Sequence, residues 1–186
     1  MEQASNNPVV VVDYNPLWPR QFATLGSRLA NVLGSLAVTI EHVGSTAVPG
    51  LAAKPIIDID VLLRSPEDLP SAVAALASIG YQHRGDLGIP SREAFRAPAG
   101  DLRHHLYLCP NNTEYRRHLA FRNYLRAHPR EADAYAALKR ELAAKFRDDR
   151  EAYNNAKREF VEGILLKAAE EKAVSKLAVS SPRAAT

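Results

Sequence analysis

EHVGSTAVPGLAAKPIIDIDVLL, Glu41 to Leu63, contains the best strand signal in the chain, the run PIIDIDVLL from Pro55 to Leu63, and sets two aspartates into its middle. Strand side chains alternate, so Asp58 and Asp60 project from one face, roughly 6.5 to 7 Å apart along the backbone, while Ile57, Ile59 and Val61 face the other way. An ionised carboxylate withdrawn from water needs a partner. At an effective dielectric of about 20 the mutual repulsion of the pair is on the order of 2 kcal/mol, which a cation between them would turn into attraction. Mg²⁺ takes such hard oxygen ligands when phosphates complete its shell, and a pair of ions can clamp an in-line phosphoryl displacement. The competing reading is an edge strand with one wet face. Leu62, on the aspartate side, and the flanking Pro55 to Ile57 favour a strand covered on both faces.

Upstream, AVTIEHV (37–43) is rich in β-branched residues and reads as a second strand that delivers the chain to Gly44-Ser45. Backbone N–H groups at such a turn, with a hydroxyl beside them, suit an anion, and glycine admits it close to the backbone. Lys54 is held extended by Pro55 and either neutralises a phosphate or pairs with Asp58. Thr46 reads as capping the turn, and His42 as a hydrogen-bonded strand histidine. Downstream, SPEDLPSAVAALASIG predicts a helix with Ser65 as N-cap and Gly80 at its end. YQHRG (81–85) and REAFRAP (92–98) are short strands separated by DLGIPS, and RHHLYLCP (103–110) is a stronger one. On the last, His104, Leu106 and Leu108 share one face. If those leucines face the core, His105 and Tyr107 face the aspartates, where His105 is a base, a substrate contact or an internal hydrogen-bond partner.

At the N-terminus, VVVVDYN reads as a short strand or extended arm and NPLWP as a turn. Phe22, Leu25, Leu29, Val32 and Leu33 recur at helical spacing from Pro19 to about Leu33, with Gly34 placed for a left-handed cap. After Asn112 everything reads as helical: Thr113 to Ala127, Arg130 to Phe146 and Arg150 to Ala173, jointed at His128-Pro129 and Asp148-Asp149, with KLAVSSPRAAT as a frayed tail. The arginines of EYRRHLAFRNYLRAHPR read as a solvated face from which one or two reach an anionic substrate. Tyr153 and Lys157, one turn apart, either do the same or support the helices. The fold class is α+β, a small mixed β-sheet with a helical C-terminal third. The reading is a single domain over residues 1–166, with the sheet at about 9–111 and helices at about 112–166, followed by a helix end and tail at 167–186.

The chain has 186 residues, 46% of them hydrophobic, and a net charge of +3, enough for one core and mildly suited to an anionic partner. No long basic stripe points to DNA or RNA. No apolar run approaches the length of a membrane span, and MEQASNNPVVVVDYN has no signal-peptide pattern, so a cytoplasmic, soluble protein is expected. The lone Cys109 reads as a buried apolar residue. His42, His83, His104 and His105 have no zinc spacing, and neither a P-loop nor a GxSxG elbow is present.

Gly44-Ser45, then twelve residues, then Asp58-Ile59-Asp60 resembles the layout of the DNA polymerase beta-like nucleotidyltransferase superfamily. The longer string HVGSTAVPGLAAKPIIDIDV resembles the signature of the GrpB family of bacterial proteins. YNPLWPRQF, RHHLYLC, FRNYLRAHP and the Tyr153/Lys157 pair extend the resemblance over most of the chain. It implies that Gly44 and Ser45 hold nucleotide phosphates and that Asp58 and Asp60 hold Mg²⁺. The implied activity is transfer of a nucleoside monophosphate from a triphosphate, here taken as ATP, to a small-molecule or protein acceptor. One departure stands out: the superfamily's third carboxylate on a later strand has no counterpart in RHHLYLC, and Asp86 and Asp101 lie in loops. The resemblance also implies a non-catalytic alternative, since a GrpB-like domain is fused to dephospho-CoA kinase in some bacteria as a folding accessory. That kinase is then a candidate partner.

Overall fold

The structure is a computed structural model that describes the backbone of residues 8–180 and the side chains of residues 8–175. Its sheet has five strands: β1 (Ala37–Val43), β2 (Ile57–Leu63), β3 (Gln82–His83), β4 (Glu93–Arg96) and β5 (His104–Cys109). They lie in the order β1-β2-β5-β4-β3, with β2 parallel to β5 and every other neighbouring pair antiparallel. The aspartate strand β2 is therefore internal, as its apolar flanks predict. Ile57, Ile59 and Val61 turn into a core with Leu25, Leu29 and Leu33 of α1 (Trp18–Leu33) and Leu76 of α2 (Leu69–Ala77). Asp58 and Asp60 point to the opposite face.

That second face is covered by α3 (Asn112–Ala127), which packs against β1, β2 and β5 and against α4 (Pro129–Lys145) and α6 (Arg158–Ser180). A second apolar cluster, including Val48, Leu51, Leu125, Tyr135 and Ile164, joins these helices to the segment between β1 and β2. The carboxylates thus lie between sheet and helices. No helix among the described residues is long and apolar enough to cross a membrane.

Several local expectations need correction. Ser65 caps no α-helix: residues 66–68 form a 3-10 turn, the Ser65 hydroxyl donates to Glu67, and α2 begins at Leu69 with Pro70 in its first turn, where a missing N–H costs nothing. Gly34 ends α1 at φ 51 and ψ −128, outside the left-handed helical basin. The N-terminal arm is extended: Val12 bridges to Ala53, the Val9 N–H donates to the Arg147 carbonyl at 2.7 Å, and Val9 is buried beside Leu142 and Tyr153. The last predicted helix is two, α5 (Arg150–Ala156) and α6, broken at Lys157. Helix α6 runs through Ser180, into the expected tail, whose remainder (181–186) lies outside the described residues.

Candidate functional site

β1 ends at Val43, and the chain turns at Gly44, φ +70, into a 3-10 turn over Ser45–Ala47. The turn lies directly on the aspartate strand. A Cβ at Gly44 would fall 2.3 Å from Asp58 Oδ2, so only glycine lets the two approach. Helix α3 clamps this turn with its arginines. Arg126 donates from Nε and Nη2 to the Ala47 carbonyl at 2.9 and 2.7 Å, and Arg122 Nη1 donates to the His42 carbonyl at 2.8 Å and to Glu41 at 2.7 Å. Arg122 is buried. These two arginines hold the turn rather than forming a solvated face.

Thr46 does more than cap: its buried hydroxyl donates to the Ile56 carbonyl at 3.1 Å, tying the turn to the entry of β2, and His42 Nε2 lies 2.9 Å from the same oxygen. With the hydroxyl proton committed to Ile56, His42 Nε2–H is the donor to Thr46. His42 stacks on Phe22, and burial drives its imidazole down to about 4. The unfolded chain takes up this proton from about pH 6.5 downward while the folded chain does not, so stability is lost as pH falls through that window, by about 3 kcal/mol at its lower end. Urea unfolding should show this acid slope diminished in His42→Gln, which keeps a donor for Thr46. Parallel slopes in the two proteins would contradict the assignment.

Asp58 and Asp60 each face a histidine. The parallel register sets Asp58 beside His105 and Asp60 beside Tyr107. His105 Nδ1 is 2.8 Å from Asp58 Oδ1, so donation from Nδ1–H leaves the Nε2 lone pair free. Burial raises the Asp58 carboxyl, but the hydrogen bond and charge of His105, with Lys157 beyond, carry it below its ordinary value. Asp60 is 0% exposed, and its Oδ2 lies 2.7 Å from His118 Nδ1 on α3. Burial opposes the charged imidazole of His118, but the bond to Asp60 and the surrounding carboxylates outweigh it and raise its pKa.

In front of Asp58 lies a cavity of about 560 Å³ whose walls include Ser45, Lys54, His105, Lys139 and Lys157. The buried Tyr135 lies beside Ser45. Lys139, 2% exposed, donates to the Ala52 carbonyl and sits 4.4 Å from the Tyr135 ring centroid. Lys54 and Lys157 lie 5.2 and 4.9 Å from the centroid of Tyr153. Lys54 makes no ion pair with Asp58, so of its two expected roles only the phosphate one keeps a geometric basis. Burial first, then neighbouring cations, lowers Lys54 to about 8 and Lys139 to about 7, and burial lowers Lys157 as well.

The expected site residues Gly44, Ser45, Lys54, Asp58 and His105 are brought together around this cavity. Asp60 lies on the same strand face but does not line it. The donor set suits a hard dication: each carboxylate has one oxygen oriented by a histidine, while among the described residues Asp60 Oδ1 is buried without a hydrogen-bond partner and Asp58 Oδ2 accepts no hydrogen bond. No group of three or more His, Cys, Asp or Glu poised for a metal occurs among the described residues. Asp101 is ion-paired with Arg28, and Asp86 accepts from the Gly88 N–H at 2.8 Å, so neither loop carboxylate fills the third place. Sequence reasoning missed His118 and Lys139. His118 precedes Arg122 by one turn, so a helical wheel centred on that arginine would have put it on the sheet side.

The profile of the GrpB protein family matches residues 8–167. The UPF0157 protein PA4798 of Pseudomonas aeruginosa is 40% identical over 166 residues, 87% of this chain and 68% of that protein. The UPF0157 protein YqkA of Bacillus subtilis is 38% identical over 154 residues, but this chain spans only 45% of its length. A dephospho-CoA kinase of Mycolicibacterium paratuberculosis is 38% identical over 82 residues, 42% of this chain and 20% of the kinase. The crystal structure of the conserved protein GrpB from Enterococcus faecalis superposes with a TM-score of 0.79 at 36% identity, covering 88% of this chain and 99% of that one. With the family profile spanning nearly all the described residues and a solved member sharing the fold, the chain belongs to the GrpB family.

Proposed function

We propose that the protein is a Mg²⁺-dependent nucleotidyltransferase, moving a nucleoside monophosphate from a triphosphate, taken as ATP, to a small-molecule or protein acceptor. One observation carries this reading: the Gly44-Ser45 turn is pressed against Asp58 at the wall of a cavity lined by three lysines. Ser45 and the backbone beside it receive the phosphates, and Lys54, Lys139 and Lys157 face their charge. Asp58 and Asp60 hold the metal, which when bound neutralises phosphate charge and fixes the triphosphate's orientation. Transfer forms a bond from the acceptor oxygen to the α-phosphorus and breaks the bond from that phosphorus to the oxygen bridging to the β-phosphate, releasing pyrophosphate. The acceptor proton passes to His105 Nε2, with the ring held by Asp58 through Nδ1. The positive charge is gathered inside a cavity, which supports a compact acceptor over DNA or RNA.

The thermal midpoint tests binding. ATP with Mg²⁺ at about 100 times Kd should stabilise the native protein by about 2.7 kcal/mol, and Asp58→Asn should abolish the shift. Label from α-³²P-ATP appearing on an acceptor then separates transfer from binding. A second reading, a non-catalytic accessory or interaction domain with dephospho-CoA kinase as partner, draws support from the partial match to that kinase and the absent third carboxylate. The lack of any midpoint shift with all four common triphosphates would select it.

A further inference from the structure

A smaller chamber of about 130 Å³ adjoins the main cavity. The two share Lys54, Ile56 and Arg150 as walls, while Arg103, Pro8 and Pro55 close only the smaller one. Ser45, Asp58 and His105 line the main cavity alone, so the chamber borders that cavity without reaching these three residues. Three of its walls are cations, and no carboxylate lines it. Lys54, Arg103 and Arg150 make no ion pair and no side-chain hydrogen bond among the described residues. The charges feel one another: Arg150 and Arg103 both act to lower the Lys54 ammonium, after burial and Lys157. Arg103 and Arg150 are exposed, so water screens part of their repulsion, and Asp58 in the main cavity offsets part of that on Lys54.

We propose that this chamber is an anion subsite that takes the phosphomonoester group of the acceptor, making the acceptor a small phosphorylated molecule whose hydroxyl reaches into the main cavity. The assignment to the acceptor rests on the nucleotidyl-transfer reading; the anion site itself does not. A phosphate dianion matches the chamber better than a carboxylate does, because one negative charge would leave two of the three cations uncompensated. Two guanidinium forks also present paired N–H donors to phosphate oxygens, which lysine alone cannot. The chamber is too small for a nucleoside, so it is not a second nucleotide site.

Inorganic phosphate is the probe, with acetate as the monoanion control at matched ionic strength, read as the thermal midpoint of the full chain with and without saturating ATP and Mg²⁺. Phosphate should raise the midpoint saturably, acetate should not, and the shift should persist on top of that from ATP and Mg²⁺. Arg103→Gln should weaken phosphate by about tenfold and Arg103→Glu should abolish its shift, because a charge-assisted bond is lost and then reversed. Both variants should keep the native response to ATP and Mg²⁺, since Arg103 lines only the small chamber. Competition between phosphate and ATP, an unchanged phosphate response in Arg103→Glu, or no saturable response in the native protein would overturn the subsite. If ATP gives no shift while phosphate does and loses it in Arg103→Glu, the subsite stands and the nucleotidyl-transfer reading falls.

Discussion

Gly44→Ala is expected to lower the thermal midpoint by roughly 10 °C and to abolish nucleotide binding with it. Two effects add. At φ +70 a side chain adopts a strained backbone, and the new Cβ would lie 2.3 Å from Asp58 Oδ2 and 2.9 Å from its Cγ, so either the turn or the aspartate must move. Strain of this kind costs about 1 kcal/mol and overpacking about 2 kcal/mol more, and each kcal/mol is worth about 2 to 4 °C in a domain of this size. Gly50→Ala is the control, because Gly50 also has a positive φ, +79, but faces open space. It should show only the backbone part. Equal losses in the two variants would mean that the turn does not bear on Asp58.

His118→Ala should be more damaging still at neutral pH. Its removal leaves the Asp60 carboxylate, 0% exposed, with both oxygens unpartnered, and stranding one member of a buried pair costs about 3 to 5 kcal/mol. Asp60→Asn/His118→Ala should recover part of that loss, because the stranded charge is gone. A double-mutant cycle by urea unfolding reads the coupling between them directly. The bond raises the folded-state pKa of His118, so its contribution fades as pH rises through that folded-state value, while burial raises the Asp60 carboxyl as well, so acid protonates it and weakens the pair from the other side. Coupling should therefore shrink in alkaline buffer. Additive single mutants, or coupling that grows from neutral to alkaline pH, would show that Asp60 is held in some other way.

The parts of the site that lie on strands were legible because the strand period leaves little freedom. Once Ile57, Ile59 and Val61 were assigned to the core, Asp58 and Asp60 had to share the other face, and the same alternation on RHHLYLC placed His105 opposite them. The Gly44-Ser45 turn was legible from residue type alone. What the helices contribute was hidden, because which side of α3 meets the sheet depends on docking that no local pattern specifies. Its arginines therefore read as solvent-facing, although Arg126 bonds the turn's Ala47 carbonyl and Arg122 the His42 carbonyl just before the turn, and His118 lies among them. Lys139, in the middle of a charged helix, looked like any surface lysine until Tyr135 and Ala52 were seen around it. The helical run from Arg150 to Ala173 gave no local sign of the break that sets Lys157 over Tyr153.

A crystal grown with Mg²⁺ and a non-hydrolysable ATP analogue shows whether the two aspartates and the serine turn hold one ligand. The expected result is a metal ligated by Asp58 and Asp60, still backed by His105 and His118, with the triphosphate running from that metal onto the Ser45 hydroxyl and toward Lys54, Lys139 and Lys157. Nucleotide bound elsewhere, or Asp58 and Asp60 still joined only to their histidines at saturating metal and analogue, would contradict it.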